Sequence, residues 1–311
     1  MALKQHGVLT IGRRRIADDA PAYCVAELAG NHGGDLSTAL ALIQVAADAG
    51  ASAVKLQKRD NAQLYTQALL DQPYAHEHSF GPTYGAHRAA LEFGMKEYEV
   101  CAHRAAFLGL DWFATPFDEA SVAFLAALEP VAFKIHSGGV TDLALLRAVA
   151  AHGLPVLLST GGATLAVIDQ AVEALGTCPH AILHCTASYP LEAAEANLRC
   201  ILSLRQRYPQ TVIGFSSHSP GIAFSLIAYA FGARIIEHHV TLSRASRGTD
   251  HGFSLEPKGL ATLVEDLGKV RLALGDGVKR FLPSEFGPIA KMRRRATPEG
   301  LRITGELDGL D

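Results

Sequence analysis

Two histidines close short apolar runs. His218 ends Gly214-Phe215-Ser216-Ser217-His218, and His239 ends Ile235-Ile236-Glu237-His238-His239. Imidazole is a common ligand for divalent metals, and a pair of them, completed by water or a carboxylate, makes an open site that polarises a carbonyl. A histidine at a strand end can also simply cap backbone groups, so the pair takes its meaning from its neighbours. Lys55 lies inside Val54-Lys55-Leu56 and Lys134 inside Phe133-Lys134-Ile135. An unpaired buried lysine is unfavourable, so both are expected to meet an anion. Thr115, Ser137, Ser159 and Ser216 stand at the ends of other apolar runs, and Gly161-Gly162 follows Ser159. Hydroxyls and free backbone amides of this kind suit a phosphate. Glu27, Gln57 and Tyr189 complete a ring of polar strand ends. An anion site beside a metal-activated carbonyl is the chemistry of a condensation. Two alternatives use the same residues: an aldolase, metal-dependent or with a lysine forming a Schiff base, and a non-catalytic barrel that binds a phosphorylated metabolite as a sensor.

Bringing these groups to one rim takes a barrel of parallel strands, in which active-site residues come from the strand C-termini and the loops after them. The runs 23–27, 53–57, 112–115, 132–135, 156–160 and 181–184, with the two histidine runs, read as its strands. Between them lie stretches of helical period, such as Leu36, Ala39, Leu40, Ile43 and Ala47, ending with Leu260, Leu263, Leu267, Val270 and Leu274. The count is about eight strand–helix units, which predicts an α/β fold of the TIM (β/α)8 type. Residues 8–16 read as a short N-terminal β-hairpin that closes the bottom of the barrel. Residues 59–94 lose all periodicity and carry many aromatic and histidine side chains, which favours a lid. One barrel domain is expected over 1–285, with 286–311 as a tail that is basic at 291–295 and too short for its own core.

Composition narrows the classes further. With 311 residues, 49% hydrophobic and 19% charged, the chain has material for a sizeable core, and its net charge of −3 gives no reason to invoke nucleic acid. No run approaches the roughly 18 apolar residues of a membrane span, and the start has no apolar signal core, so a cytoplasmic protein without membrane association is expected. The five cysteines have no paired spacing and read as reduced thiols.

Several segments together resemble the sialic acid (N-acetylneuraminate) synthase family. They are 26–35 (Ala-Glu-Leu-Ala-Gly-Asn-His-Gly-Gly-Asp), Val54-Lys55-Leu56-Gln57-Lys58, Ala114-Thr115-Pro116-Phe117-Asp118, Phe133-Lys134-Ile135-His136-Ser137-Gly138, Leu158-Ser159-Thr160-Gly161, His184-Cys185-Thr186, Tyr189-Pro190 and Arg247-Gly248-Thr249-Asp250. The resemblance runs in order from about residue 20 to 290. It implies a transferase that joins phosphoenolpyruvate to the open-chain aldehyde of a hexosamine on a TIM barrel, releases phosphate and needs a divalent metal, manganese (Mn2+) first, with Mg2+ or Co2+ as alternatives. It places phosphoenolpyruvate on Lys55, Thr115, Lys134, Ser137, Ser159 and Ser216, and the metal on His218 and His239. Glu27, Gln57, Tyr189 and Asp250 fall on the acceptor side, Glu27 being the candidate for proton transfer. Glu27, Lys55, Lys134, Tyr189 and Asp250 are thus the implied catalytic set. The implied mechanism is attack of carbon 3 of phosphoenolpyruvate on the polarised aldehyde, addition of water, and departure of phosphate with carbon–oxygen cleavage.

Three departures bear on the acceptor. Gly139 stands where many members of the family carry an acidic residue, Ala187 stands where bacterial members often have asparagine, and the usual C-terminal antifreeze-like domain is not represented. Residues 78–88 resemble the animal-type enzymes, which take N-acetylmannosamine 6-phosphate. The expectation is therefore an aldose or aldose-phosphate acceptor other than free N-acetylmannosamine, with any phosphate near His87 and Arg88. A homodimer is expected as well, with a separate antifreeze-like domain protein as a further candidate partner.

Overall fold

Side chains alternate across a β-strand, so in a closed barrel every second residue points inward. In the computed structural model, which describes residues 6–306, this alternation decides where the polar groups go. Eight parallel strands close into a barrel, each bonded to the next in chain order and the last to the first. They are β3 (Tyr23–Glu27), β4 (Ala53–Lys58), β5 (Asp111–Pro116), β6 (Phe133–Ile135), β7 (Val156–Ser159), β8 (His180–Cys185), β9 (Val212–Ser217) and β10 (Ile235–His239). The hairpin β1 (Leu9–Ile11) and β2 (Arg14–Ile16) precedes them.

Two cores result. Outward-facing residues such as Val54, Leu56, Ile182, Phe215 and Ile236 pack with the helices. Tyr23, Val25, Phe113, Leu157, Leu183, Val212 and Ile235 point inward and pack with Leu9, Ile11 and Ile16 of the hairpin. The hairpin thus plugs the end where the strands begin, as the sequence predicts. One step of two residues further along each strand, the inward positions turn polar: Val25 gives way to Glu27, Ala53 to Lys55, Phe113 to Thr115, Leu157 to Ser159, and Ile235 to Glu237 and then His239. The interior is apolar at one end and hydrogen-bonding at the other.

The helices between strands begin where short polar residues take up free backbone N–H groups. Asp35 accepts from Thr38 N, Asp118 from Ser121 N and Asp142 from Leu145 N, caps worth about 1 kcal/mol each. Residues 59–94 differ from the expected aperiodic loop. They form the helices Asn61–Leu64, Gln67–Leu70 and Tyr84–Leu91, each capped by Asp60, Thr66 or Thr83. Pieces this short leave no periodicity to read, which is why the sequence shows none.

The barrel unit extends to Ala273, short of the expected 285. Residues 274–306 belong to a second compact unit containing the helix Phe286–Ala290 and an antiparallel hairpin, β11 (Arg294–Thr297) with β12 (Gly300–Ile303), rather than a plain tail. Among the described residues no helix is long and apolar enough to cross a membrane.

Candidate active site

The polar end of the barrel opens into a cavity of about 640 Å3. Lys55, Gln57, Thr115, Lys134, Ser137, Ser159, Tyr189, Ser216, His218, His239, Asp250 and Arg88 all line it. Side chains predicted from nine separate stretches of sequence therefore meet in one place.

Three buried charges, Lys55, Lys134 and Glu237, lie at its floor, with Glu27 behind them. Lys55 Nζ pairs with Glu27 Oε2, donates to Thr115 Oγ1 at 3.1 Å and stands 3.6 Å from Glu237 Oε2. Lys134 Nζ donates to Ser159 Oγ at 2.5 Å and to Ile135 O at 2.9 Å, and lies 3.9 Å from Glu237 Oε1. Ser216 Oγ donates to the same Glu237 oxygen at 2.9 Å. Burial alone would lower the Lys55 ammonium, yet Glu237 and Glu27 hold it above its ordinary value. Burial brings Lys134 down to about 8 because its single distant carboxylate compensates less. Glu237 is held low by Lys134 and Lys55 against the pull of burial, whereas burial and the neighbouring Glu237 raise Glu27. The quartet is balanced by itself, so a ligand anion here meets ammoniums already in position.

His218 and His239 approach with ring centroids 5.4 Å apart. His218 Nδ1 lies 3.0 Å from Thr186 O. A carbonyl only accepts, so the proton sits on Nδ1 and the Nε2 lone pair is left free. Burial, with His239 beside it, takes His218 down to about 4, and burial also lowers His239. Both rings are neutral at pH 7, the form that binds metal. His239 Nδ1 is buried without a hydrogen-bond partner, since Asp250 Oδ2 is 3.7 Å away, beyond hydrogen-bond reach. Glu237 Oε2 is likewise without a hydrogen bond. Among the described residues no three His, Cys, Asp or Glu side chains form a ready-made cage. The donor set therefore fits an open site with two protein nitrogens, completed by substrate or solvent.

Three expectations need correction. Glu27 does not reach the cavity wall: it is fully buried, with Oε1 accepting from Ala29 N at 2.8 Å and Gln57 Nε2 at 3.1 Å, so it sits behind Lys55 and Gln57. His87 points into the 59–94 segment, where Nδ1 accepts from Phe80 N at 3.1 Å and the ring packs on Tyr74; Arg88 alone of that pair faces the cavity. The Gly161 amide is not free for phosphate, because it donates to Ser137 Oγ at 3.0 Å. Glu237, which also lines the cavity, went unassigned from sequence. Strand alternation contained the signal: if His239 faces inward, so must the residue two before it.

Residues 42–279 match the sequence profile of the NeuB family. Over 301 residues the chain is 34% identical to the N-acetylneuraminate-9-phosphate synthase of Homo sapiens, covering 94% of this chain and 84% of that protein. It is 35% identical to the N,N'-diacetyllegionaminic acid synthase of Campylobacter jejuni, over 87% of this chain and 82% of that one. The crystal structure of N-acetylneuraminic acid (sialic acid) synthetase from Leptospira borgpetersenii, in complex with citrate, superposes with a TM-score of 0.81 at 36% identity, covering 92% of this chain and 96% of that chain. With residues 42–279 matching the family's profile and about a third of positions identical to its synthases over most of the chain, this chain belongs to the NeuB family.

Proposed function

We propose that this chain joins phosphoenolpyruvate to the open-chain aldehyde of an N-acetylmannosamine-type hexosamine or related hexose, 6-phosphorylated in its preferred form, giving a nonulosonic acid and free phosphate. The observation that carries the reading is the meeting of Lys55 and Lys134, their hydroxyl neighbours and a neutral histidine pair in one cavity. Relatives named as synthases of N-acetylneuraminate 9-phosphate, diacetyllegionaminic acid and pseudaminic acid support it.

In this reading Lys134 and Lys55 neutralise the carboxylate and phosphate of phosphoenolpyruvate, while Thr115, Ser137, Ser159 and Ser216 orient it through directed hydrogen bonds. Carbon 3 forms the new bond to the aldehyde carbon, the oxygen of water joins carbon 2, and the carbon–oxygen bond to phosphate breaks. Gln57, Tyr189, Asp250 and Arg88 line the space left for the acceptor. Glu27, whose carboxyl is raised by burial, takes part in proton movement through Lys55 rather than by touching the acceptor. His218 and His239 would hold a divalent ion, manganese first, which when bound would supply a Lewis acid for the aldehyde oxygen. Five unpaired cysteines fit a reducing compartment, so the reading places the chain in the cytoplasm; it also takes the chain as a homodimer.

The test is phosphate release from phosphoenolpyruvate with manganese, across free and 6-phosphorylated mannose and N-acetylmannosamine. Turnover with at least one aldose is expected. Silence with all four would remove the proposal.

A further inference from the structure

The cavity wall between Lys134 and Ser137 carries a histidine that none of the chemistry above uses. His136 follows β6 and lies against the glycines after it. A Cβ on Gly139 would come within 3.3 Å of His136 Nε2, and a Cβ on Gly138 within 2.9 Å of His136 Cε1. The imidazole therefore fills the space into which a side chain at 138 or 139 would project. The ring also stacks on Phe117, with centroids 4.1 Å apart and planes 19° from parallel. The Arg59 guanidinium lies 3.6 Å from the centroid of the same phenyl ring. Two planar groups cannot share one face at those distances, so Phe117 is sandwiched between His136 and Arg59.

Arg59 is itself fixed, donating through Nη2 to Gln57 Oε1 at 2.6 Å, with Nη1 3.6 Å from Glu92 Oε1. All three layers line the cavity. The stack holds the His136 ring in place, yet among the described residues neither ring nitrogen takes part in a hydrogen bond. Burial and the nearby Lys134, Arg59 and Lys55 lower its pKa to about 3, so the ring is neutral and offers one N–H donor and one lone pair. A rigid polar group without a partner, facing a substrate cavity, is a recognition element whose ligand is still to come.

We infer that His136 is a specificity-determining residue of the acceptor subsite, donating to an electron-rich oxygen of the sugar, either an acylamino carbonyl or a phosphate oxygen. An acidic side chain projecting from position 139 would accept hydrogen bonds from sugar hydroxyls and repel such oxygens. The imidazole in the same space, with Arg59 behind it, reverses that preference. The inference rests on the synthase reading and deepens it.

The experiment compares wild type, His136→Ala and His136→Gln with saturating phosphoenolpyruvate and manganese, on mannose, N-acetylmannosamine and their 6-phosphates. His136→Ala is expected to raise the acceptor KM about tenfold or more, the effect of one lost directed hydrogen bond in a closed site. The rise should fall on the acetamido sugars if the partner is the acyl carbonyl, or on the phosphorylated sugars if it is a phosphate oxygen. The phosphoenolpyruvate KM should stay within about twofold, and His136→Gln, which keeps an N–H donor, should recover part of the loss. An equal loss on all four sugars, an unchanged acceptor KM, or a loss confined to phosphoenolpyruvate would overturn the inference while the synthase reading stands. Wild-type silence on every sugar would overturn both.

Discussion

Lys55 and Glu237 stand 3.6 Å apart, Nζ to Oε2, although β3 runs between their strands. That intervening strand adds Glu27 to the same ammonium, while Glu237 also faces Lys134 from β6, on the opposite side of the barrel. Only a closed barrel puts such distant strands within ion-pair reach. One carboxylate thus serves two lysines, and the binding charges are held in position before any substrate arrives. Preorganised charge of this kind avoids reorganisation when the anion binds.

Replacing Glu237 with glutamine keeps its size and removes that shared charge. Lys134 then has no carboxylate partner, and breaking a buried pair from one side costs about 3–5 kcal/mol. Urea unfolding of Glu237→Gln without ligand should show a loss of that order. With saturating phosphoenolpyruvate the loss should shrink, because the ligand's anionic groups take over as counter-ions and bind only the folded state. The same loss with and without ligand would mean that phosphoenolpyruvate does not approach these lysines.

Lys134 also sets a pH dependence. Its ammonium is lowered by burial to about 8 from an ordinary 10.5. Between those values the unfolded chain holds the proton and the folded chain does not, so this group makes stability rise with pH from about 8 to 10.5. Anion binding needs the ammonium and runs the other way: phosphoenolpyruvate affinity should fall as pH climbs through about 8. Lys134→Arg stays charged throughout and should flatten that fall, though it fits the site less well. Calorimetric titrations from pH 7 to 10 decide the matter, and a wild-type affinity that is constant over the range would exclude Lys134 as the anion's partner. Borohydride treatment in the presence of substrate should leave the mass of the protein unchanged; a trapped adduct would favour the Schiff-base aldolase instead.

Much of this site was legible because strand chemistry is local. A lysine inside Val54-Lys55-Leu56 or a histidine closing Ile235-Ile236-Glu237-His238-His239 already conflicts with its apolar surroundings, and the conflict is the signal. Glu237 is harder to read, because it stands inside the run, one inward step before the histidine that ends it. Glu27 and His87 show a different limit. Sequence places both close to the site, but whether a side chain faces the cavity or stands behind it depends on partners far along the chain, such as Gln57 for Glu27. The His136–Phe117–Arg59 stack joins three loops and has no local periodicity to betray it. The short helices of 59–94 escaped for a simpler reason, since a helix of one or two turns has no repeat to detect.

The histidine pair makes a separable prediction. His239→Ala removes a neutral, buried nitrogen that has no hydrogen-bond partner, while Lys134 keeps its contact with Ser159 and Lys55 its contact with Thr115. Metal-stimulated phosphate release should be lost, and phosphoenolpyruvate binding should stay within a few-fold of wild type. Manganese titration followed by calorimetry, with a parallel phosphoenolpyruvate titration, checks both halves. Metal stimulation that survives in the variant would remove His239 from the metal site.

Arg88 bears on the acceptor's phosphate. Its Nε donates to Tyr84 Oη at 2.9 Å and its guanidinium carbon lies 5.0 Å from the centre of the same ring. Among the described residues no carboxylate pairs with it, although it lines a cavity that also holds Arg59 and His78. A guanidinium held at one end and uncompensated at the other is suited to a phosphate, which it can meet with two parallel N–H donors. Arg88→Ala should therefore raise KM for a 6-phosphorylated acceptor by about ten- to a hundredfold, from loss of a charge-assisted contact of about 1.5–3 kcal/mol. The unphosphorylated sugar never made that contact, so its KM should change by no more than about twofold. Arg88→Lys should recover only part of the loss, because an ammonium supplies charge without the planar fork. Steady-state kinetics on both members of one sugar pair give the answer. An equal rise for the phosphorylated and free sugars would show that Arg88 supports the fold of 59–94 and not the phosphate.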